Sequence, residues 1–226
     1  MSNLQQTRSR QFAHQFAREA LTKLNINRYP LQKVEKGRWL KMSDQRLSAL
    51  PFIESGRLDA VLNVGEEGTQ VIPVIFSRGE IALLSALFSE EPIHGNLVAA
   101  EPLLVRWIPL ADLETALLED QGLLLILVKF LAQRLREVRA RERGWLERGV
   151  HERVCAGVAR VALESPPASP DGPWSIFTTH EHLASRCGVS RPKLSQELKH
   201  LEHEGVVRLN RGRVDVLDFS SLTSSF

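Results

Sequence analysis

Residues 178–201 read Thr178-Thr179-His180-Glu181-His182-Leu183-Ala184-Ser185-Arg186-Cys187-Gly188-Val189-Ser190-Arg191-Pro192-Lys193-Leu194-Ser195-Gln196-Glu197-Leu198-Lys199-His200-Leu201. The pattern predicts two helices joined by a tight turn. Thr178 or Thr179 offers an N-cap oxygen, and Glu181 follows Thr178 by three residues, as a capping box requires. Leu183 is expected in a core, and Ala184 is small enough to let a second helix approach closely. Gly188 suits the left-handed backbone that ends a helix. Ser190 is expected to cap the second helix, with Pro192 in its first turn, where no backbone donor is lost. Leu194, Leu198 and Leu201 recur at i, i+4 and i+7 and mark a buried stripe. The other face carries Arg191, Ser195, Gln196 and Lys199. This is the shape of a helix-turn-helix, whose second helix fits the major groove of DNA. Arginine pairs with guanine, and glutamine with adenine, through two hydrogen bonds each. Two amphipathic helices of an ordinary domain fit the same pattern.

The following residues favour the DNA reading. Glu202 to Gly205 ends the helix. Val206 to Leu209 and Val214 to Leu217 read as strands around the turn Asn210-Arg211-Gly212-Arg213. A hairpin after the second helix makes a winged helix. From Arg186 to Arg213 there are seven Lys/Arg against three Glu, a local excess that suits a phosphate backbone.

The rest of the chain sets bounds. Its 226 residues allow one to two domains, each with its own core. The net charge of +2 conceals an asymmetry. Residues 1–40 carry eight Lys/Arg against two acids, 41–128 five against thirteen, and 129–226 sixteen against twelve. The middle repels nucleic acid and the C-terminal third attracts it. The N-terminus is polar and charged, unlike a signal peptide, and the apolar run Leu123 to Val128 is too short to span a membrane. Cys155 and Cys187 fit a reducing cytoplasm better than a disulfide scaffold. A cytoplasmic location follows as an expectation.

Along the chain, residues 9–24 read as a helix with Phe12, Phe16 and Leu24 on one face. From Tyr29 the pattern shifts to short apolar strands between glycine turns. Val61 to Val64 and Gln70 to Phe76 flank Gly65-Glu66-Glu67-Gly68 and suggest a hairpin. Leu97 to Ala100 and Leu103 to Ile108 continue the series, which indicates a β-sandwich or roll. Pro109 to Glu119 is a short helix, and Gln121 to Arg148 a long one. On the long helix Leu124, Leu131, Val138 and Trp145 recur every seven residues, with Val128 and Leu135 four after the first two. That is a coiled-coil seam, expected to pair two copies of the chain; a long helix lying on its own domain is the alternative. Val150 to Glu164 is a further helix. Ser165 to Pro173 is a proline-dense loop, and Trp174 to Phe177 is a short strand.

The expected fold class is therefore α+β, with an N-terminal β-roll, a long dimerisation helix and a C-terminal winged helix-turn-helix. The domains are drawn at 1–120, 121–148 and 149–226. This order of parts resembles the catabolite-activator and fumarate-nitrate-regulator (CRP/FNR) transcription factors, from about Tyr29 to Leu217. Gly79-Glu80-Ile81-Ala82-Leu83-Leu84 resembles the Gly-Glu segment of their cyclic-nucleotide pocket. Glu35-Lys36-Gly37 with Ile53-Glu54-Ser55-Gly56 resembles the first roll turns. Cys187-Gly188-Val189-Ser190-Arg191 resembles the turn into the recognition helix.

The resemblance implies a homodimer that binds double-stranded DNA at an operator, with RNA polymerase as a further partner. It places Arg191, Pro192 and Gln196 at base-reading positions and Ser190 and Lys193 beside phosphates. Ser195, Lys199, Arg211 and Arg213 complete the expected DNA-binding set. Pro192 stands where an acidic reader is common, and Gln196 where an arginine is common, so the preferred half-site should differ from that of the best-known member. The expected effector pocket comprises Gly79, Glu80, Ile81, Ala82, His94, Asn96, Val138 and Arg139.

That pocket departs from the cyclic-nucleotide pattern. Where an Arg-Ser pair would hold the cyclic phosphate, this chain reads Pro92-Ile93-His94-Gly95-Asn96-Leu97, and Arg106 is the lone arginine between Gly79 and Trp107. A buried phosphate without a cation is costly. Cyclic AMP is therefore not expected as the effector. An iron–sulfur cluster needs about four cysteines, and the chain has two. His14, His94 and His151 are conceivable haem ligands but read better as surface or capping residues. The pairs His180/His182 and His200/His203 lack a third ligand at metal spacing. No cofactor and no metal is expected. Cys187 adjoins the turn, and its apolar neighbours point to a buried, inert thiol. No nucleophile–base pair has usable spacing, so an enzyme is not expected. Two alternatives stay open: a regulator independent of any small molecule, and a winged helix that contacts protein instead of DNA.

Overall fold

The computed structural model describes residues 2–41, 46–64, 69–89, 91–92, 94–147, 149–164 and 174–223. The expected turn at Gly65–Gly68, the end of the long helix at Arg148 and the loop Ser165–Pro173 lie outside them. The chain divides into two compact units, residues 1–62 with 73–139, and residues 63–72 with 140–226.

In the first unit, helix α1 (Ser2–Lys23) is longer than the expected 9–24 segment. Its buried face is built of small residues around one aromatic: Ala13, Phe16, Ala17 and Ala20. Strands β1 (Leu31–Val34), β2 (Trp39–Lys41), β3 (Ala49–Ser55), β4 (Arg57–Val64), β5 (Thr69–Ser77), β6 (Asn96–Ala99) and β7 (Leu103–Pro109) follow. They form a three-stranded sheet in the order β1-β7-β3 and a four-stranded sheet in the order β2-β6-β4-β5. The β3–β7 pairing sets Leu50 opposite Ile108 and Ile53 opposite Val105, which puts four buried aliphatic side chains into one core. Gly56 makes the corner between β3 and β4 at φ +88°, and a Cβ there would fall 2.3 Å from the Pro102 carbonyl oxygen, so no other residue fits without moving backbone.

Helix α2 (Leu110–Glu119) closes this unit with Leu113, Ala116 and Leu117 inward. Asp112 on it accepts a hydrogen bond from the Tyr29 hydroxyl at 2.7 Å and pairs with Arg28. These two donors, Tyr29 first, hold the Asp112 carboxyl below its ordinary range.

Helix α3 (Gln121–Glu147) carries two apolar faces. Leu123, Ile126 and Leu127 are buried in the roll core, with Phe130 packed against it. Leu124, Val128, Leu131 and Leu135 are exposed, at 37%, 52%, 37% and 52%. A single domain needs one apolar stripe on a covering helix, not two. The second stripe coincides with four positions of the expected seam; Val138 is half-buried, and the Trp145 side chain lies outside the described residues.

The second unit contains α4 (Val150–Glu164), β8 (Trp174–Phe177), α5 (His180–Cys187), α6 (Arg191–His203), β9 (Val207–Asn210), β10 (Arg213–Val216) and α7 (Phe219–Thr223). Its sheet has the order β8-β10-β9, so the expected hairpin gains a third strand. The core joins Val154, Val158 and Ala162 of α4 to Leu183 of α5 and to Leu194, Leu198 and Leu201 of α6. Gly157 sets the closeness of α4 and α5: a Cβ there would sit 2.2 Å from Cys187 Sγ and 3.1 Å from Cys187 Cα.

Candidate nucleic-acid interface

Helices α5 and α6 meet through the turn Gly188-Val189-Ser190. Gly188 takes φ +68° and its N–H donates to the Ala184 carbonyl, ending α5 as the sequence predicts. At the other end Thr179 is the cap: its hydroxyl accepts the His182 N–H at 3.1 Å. The capping box expected from Thr178 and Glu181 does not form, because the helix starts one residue later. Thr178 Oγ1 instead contacts His182 Nδ1 at 3.1 Å. Ser190 corrects a second expectation. It stands at the N-cap of α6 with extended backbone, but its side chain makes no capping hydrogen bond. Its hydroxyl is exposed, and the first N–H groups of α6 receive no side-chain cap from it.

Arg191, Pro192, Lys193, Gln196 and Lys199 all lie exposed on α6, opposite buried Leu194, Leu198 and Leu201. Arg208 and Arg211 are exposed on the β9–β10 hairpin. The two-residue connection Arg211-Gly212 is fixed by the pairing of Asn210 with Arg213, and Gly212 takes φ +70°. The Thr178 N–H donates to the Gly212 carbonyl at 3.1 Å, tying the hairpin tip to the start of α5. Leu209 N–H donates to Glu202 Oε1 at 2.8 Å, tying the hairpin to α6.

Two of the expected DNA-binding residues have other engagements. Ser195 is half-buried, with its hydroxyl 3.0 Å from His180 Nδ1, so it joins α6 to α5. Arg213 pairs with Asp215 at 3.0 Å. Asp215 is a buried hub that also accepts hydrogen bonds from Ser175 Oγ at 2.6 Å and Asn210 Nδ2 at 2.9 Å. Arg186, counted in the sequence among the local cations, is buried and paired with Glu164. Its carbonyl accepts from Arg160, and Arg153 donates to the Gly188 carbonyl at 3.3 Å. These three arginines brace the turn from behind. The cations presented outward by α6 and the hairpin are Arg191, Lys193, Lys199, Arg208 and Arg211.

Both thiols are buried. Burial pushes the Cys187 thiol up to about 12 and the Cys155 thiol up to about 11, the latter with Glu197 adding to the effect. Neither forms thiolate at neutral pH, so neither is poised for oxidation. His151, weighed as a haem ligand in the sequence, stands with Nδ1 3.0 Å from Glu197 Oε2 and Nε2 3.5 Å from Cys155 Sγ. No group of three or more His, Cys, Asp or Glu arranged to hold a metal occurs among the described residues. No helix there is long and apolar enough to cross a membrane.

The expected effector residues lie in the first unit. Gly79 turns at φ +84°. Ile81 and Ala82 are buried in the roll core, His94 is exposed, and Asn96 opens β6. Val138 is half-buried and Arg139 exposed on α3. Glu80 is buried, and its carboxylate accepts the Ser77 N–H at 2.6 Å and faces Arg10 Nε at 3.4 Å. Sequence reading singled out neither Ser77 nor Arg10: the Arg10–Glu80 contact joins segments 70 residues apart, whereas Ser77 stands three residues before Glu80.

Comparison with known proteins agrees with this architecture. The family model for the Crp-like helix-turn-helix domain matches residues 152–224. The transcriptional regulator SdrP of Thermus thermophilus is 28% identical over 167 residues, 74% of this chain and 77% of that one. Among solved structures, FixK2 of Bradyrhizobium japonicum superposes with a TM-score of 0.73 at 15% identity, over 86% of this chain and 96% of that one. The regulator CLP of Xanthomonas campestris gives 0.72 at 17% identity, over 85% and 95%. The two structures share the fold: N-terminal roll, long helix and C-terminal helix-turn-helix with its small sheet.

Proposed function

We propose, for a chain that belongs to the CRP/FNR family of DNA-binding transcription regulators, that two copies pair along α3 and lay their α6 helices into successive major grooves of one operator. The observation that carries this reading is the division of α6 into a buried leucine stripe and an exposed face of Arg191, Pro192, Lys193, Gln196 and Lys199. Arg191 reads guanine, Gln196 reads adenine, and Ser190, Lys193 and Arg211 contact phosphates. Pairing is supported by the exposed apolar stripe of α3 and by the match between a two-fold dimer and two half-sites. RNA polymerase is the partner that a bound regulator would address.

Readout and attraction separate by mutation. On duplexes selected from a random library by this protein, Arg191→Ala is expected to cost about 1–3 kcal/mol and to relax the preference at one base position. Arg211→Ala should weaken all sequences alike and reduce the salt slope by about one. Unchanged base preference in Arg191→Ala would mean that α6 does not read DNA as described. Binding that ignores salt would favour the protein-contact alternative, because phosphate contacts impose a steep salt dependence.

The roll does not take cyclic AMP in the usual way. Glu80 already has a cation and a backbone donor, and the segment 92–97, where the family's Arg-Ser pair would stand, lacks it. Titration calorimetry with cyclic AMP is expected to give no sub-micromolar binding, and such binding would refute the point. CLP is described as responsive to c-di-GMP; for this chain, the engagement of Glu80 favours a regulator that acts without a diffusible ligand.

A further inference from the structure

The N-terminal helix makes its polar contacts where an effector would be expected to make its own. Arg10 donates to Ser77 Oγ at 2.8 Å and faces Glu80 at 3.4 Å. One turn on, His14 lies against Gly79 so closely that a Cβ there would meet Nδ1 at 3.0 Å. The glycine of the Gly79-Glu80 segment thus makes room for α1 as well as turning the chain. The neighbouring Ser9, itself buried, donates to Glu137 Oε2 of α3 at 2.8 Å. Adjacent residues of one helix therefore bond a roll turn through Arg10 and the long helix through Ser9. Glu80 and Glu137 are both buried carboxylates, an unusual environment for either unless it is paired.

We propose that α1 is an internal ligand of the roll: Ser9 and Arg10 hold the Gly79–Glu80 turn to Glu137 of α3 and so set the operator-binding resting state of the protein without a diffusible molecule. The proposal rests on the reading of the chain as a DNA-binding regulator with its expected pocket at these segments. Undocking α1 takes the Arg10 donor from Glu80 and the Ser9 donor from Glu137, leaving these buried carboxylates only the Ser77 N–H and Arg134 respectively, so the docked arrangement is the stable one for the chain alone. Glu137 Oε1 is also buried and meets no donor among the described residues. A molecule that displaced α1 would have to satisfy these acids. It would be cationic or rich in donors, such as an amine or guanidinium compound, and not a phosphate. Because Val138 of the apolar seam adjoins Glu137, the state of α1 reaches the pairing face of α3 through one residue.

The test uses the full chain with Arg10→Ala, Ser9→Ala and the conservative Arg10→Lys. Hydrogen exchange is followed at residues 8–23 and 130–139, and affinity is measured for a duplex selected by the wild-type protein. In Arg10→Ala and Ser9→Ala, exchange is expected to rise at least tenfold in both segments, with operator affinity falling at least tenfold. Arg10→Lys should stay within a fewfold of wild type. Faster exchange at 8–23 with unchanged exchange at 130–139 and unchanged affinity would reduce α1 to a structural cap and overturn the proposal. Unchanged exchange at 8–23 would overturn it as well. A wild-type protein that selects no duplex refutes the DNA reading instead, and the exchange at 130–139 then decides alone whether α1 is coupled to α3.

Discussion

Arg186→Ala is expected to destabilise the C-terminal unit by about 3–5 kcal/mol, the usual result of removing one partner from a buried ion pair. The Arg186 side chain is 4% exposed and pairs with Glu164, which stands at the end of α4. Alanine would leave that carboxylate, 20% exposed, without its charge partner and would open a void behind the turn into α6. Urea unfolding of the full chain, followed through Trp174, should show the loss as a lower midpoint. Replacing both partners, as in Arg186→Met with Glu164→Leu, should recover most of it, since an apolar pair of similar volume removes the buried charge altogether. A single Arg186→Ala variant with unchanged stability but weakened DNA binding would restore Arg186 to the phosphate-contacting cations.

Arg186 also shows where sequence reading reached its limit. The sequence counted it toward the cation excess of a 28-residue stretch that suits a phosphate backbone. The stretch alone does not reveal that residue 186 lies on the inner face of α5, one turn after Leu183. Helical spacing would have given that much: positions 183, 184 and 187 are the core-facing set, and 186 falls three after 183. What spacing could not give is the partner, because Glu164 comes from α4, across the proline-dense loop. The same applies to Gly157. A glycine within a helix reads as a weakness, and only the packing of α4 on α5 shows that Cys187 needs the space. By contrast, the features set by local backbone chemistry were legible. Gly188, Gly212 and the leucine stripe of α6 each demand one conformation or one face from the residues themselves. The roll was legible as a set of strands and in one pairing, the β4–β5 hairpin, but not in its wider strand order. The order β2-β6-β4-β5 joins segments far apart in sequence, and the role of α1 depends on contacts such as Arg10 to Glu80 that no local pattern marks.

The seam of α3 yields the other large effect. Leu131→Glu together with Leu135→Glu is expected to convert the protein to a monomer and to lower operator affinity by about 10²–10⁴-fold, the gain normally obtained when a second binding module is held at millimolar effective concentration. Both side chains are exposed in the single chain, so the substitutions should leave the fold and its unfolding midpoint nearly unchanged. In the paired state each leucine would bury its remaining exposed surface against the partner helix, and burying such a side chain fully is worth about 1.5–3 kcal/mol. Four glutamates facing one another across the two-fold axis would replace that gain with repulsion and carboxylate desolvation. The roll side of the helix, with Leu123, Ile126 and Leu127, is untouched, which separates loss of pairing from loss of folding. Sedimentation at two concentrations reads the first quantity, and anisotropy with full and half operators reads the second. The variant should bind a half-site as the wild type does, because α6 and its exposed cations lie in the other unit. Equal affinity of variant and wild type for the full operator would show that recognition needs no second copy, and the seam would then have to serve a different partner.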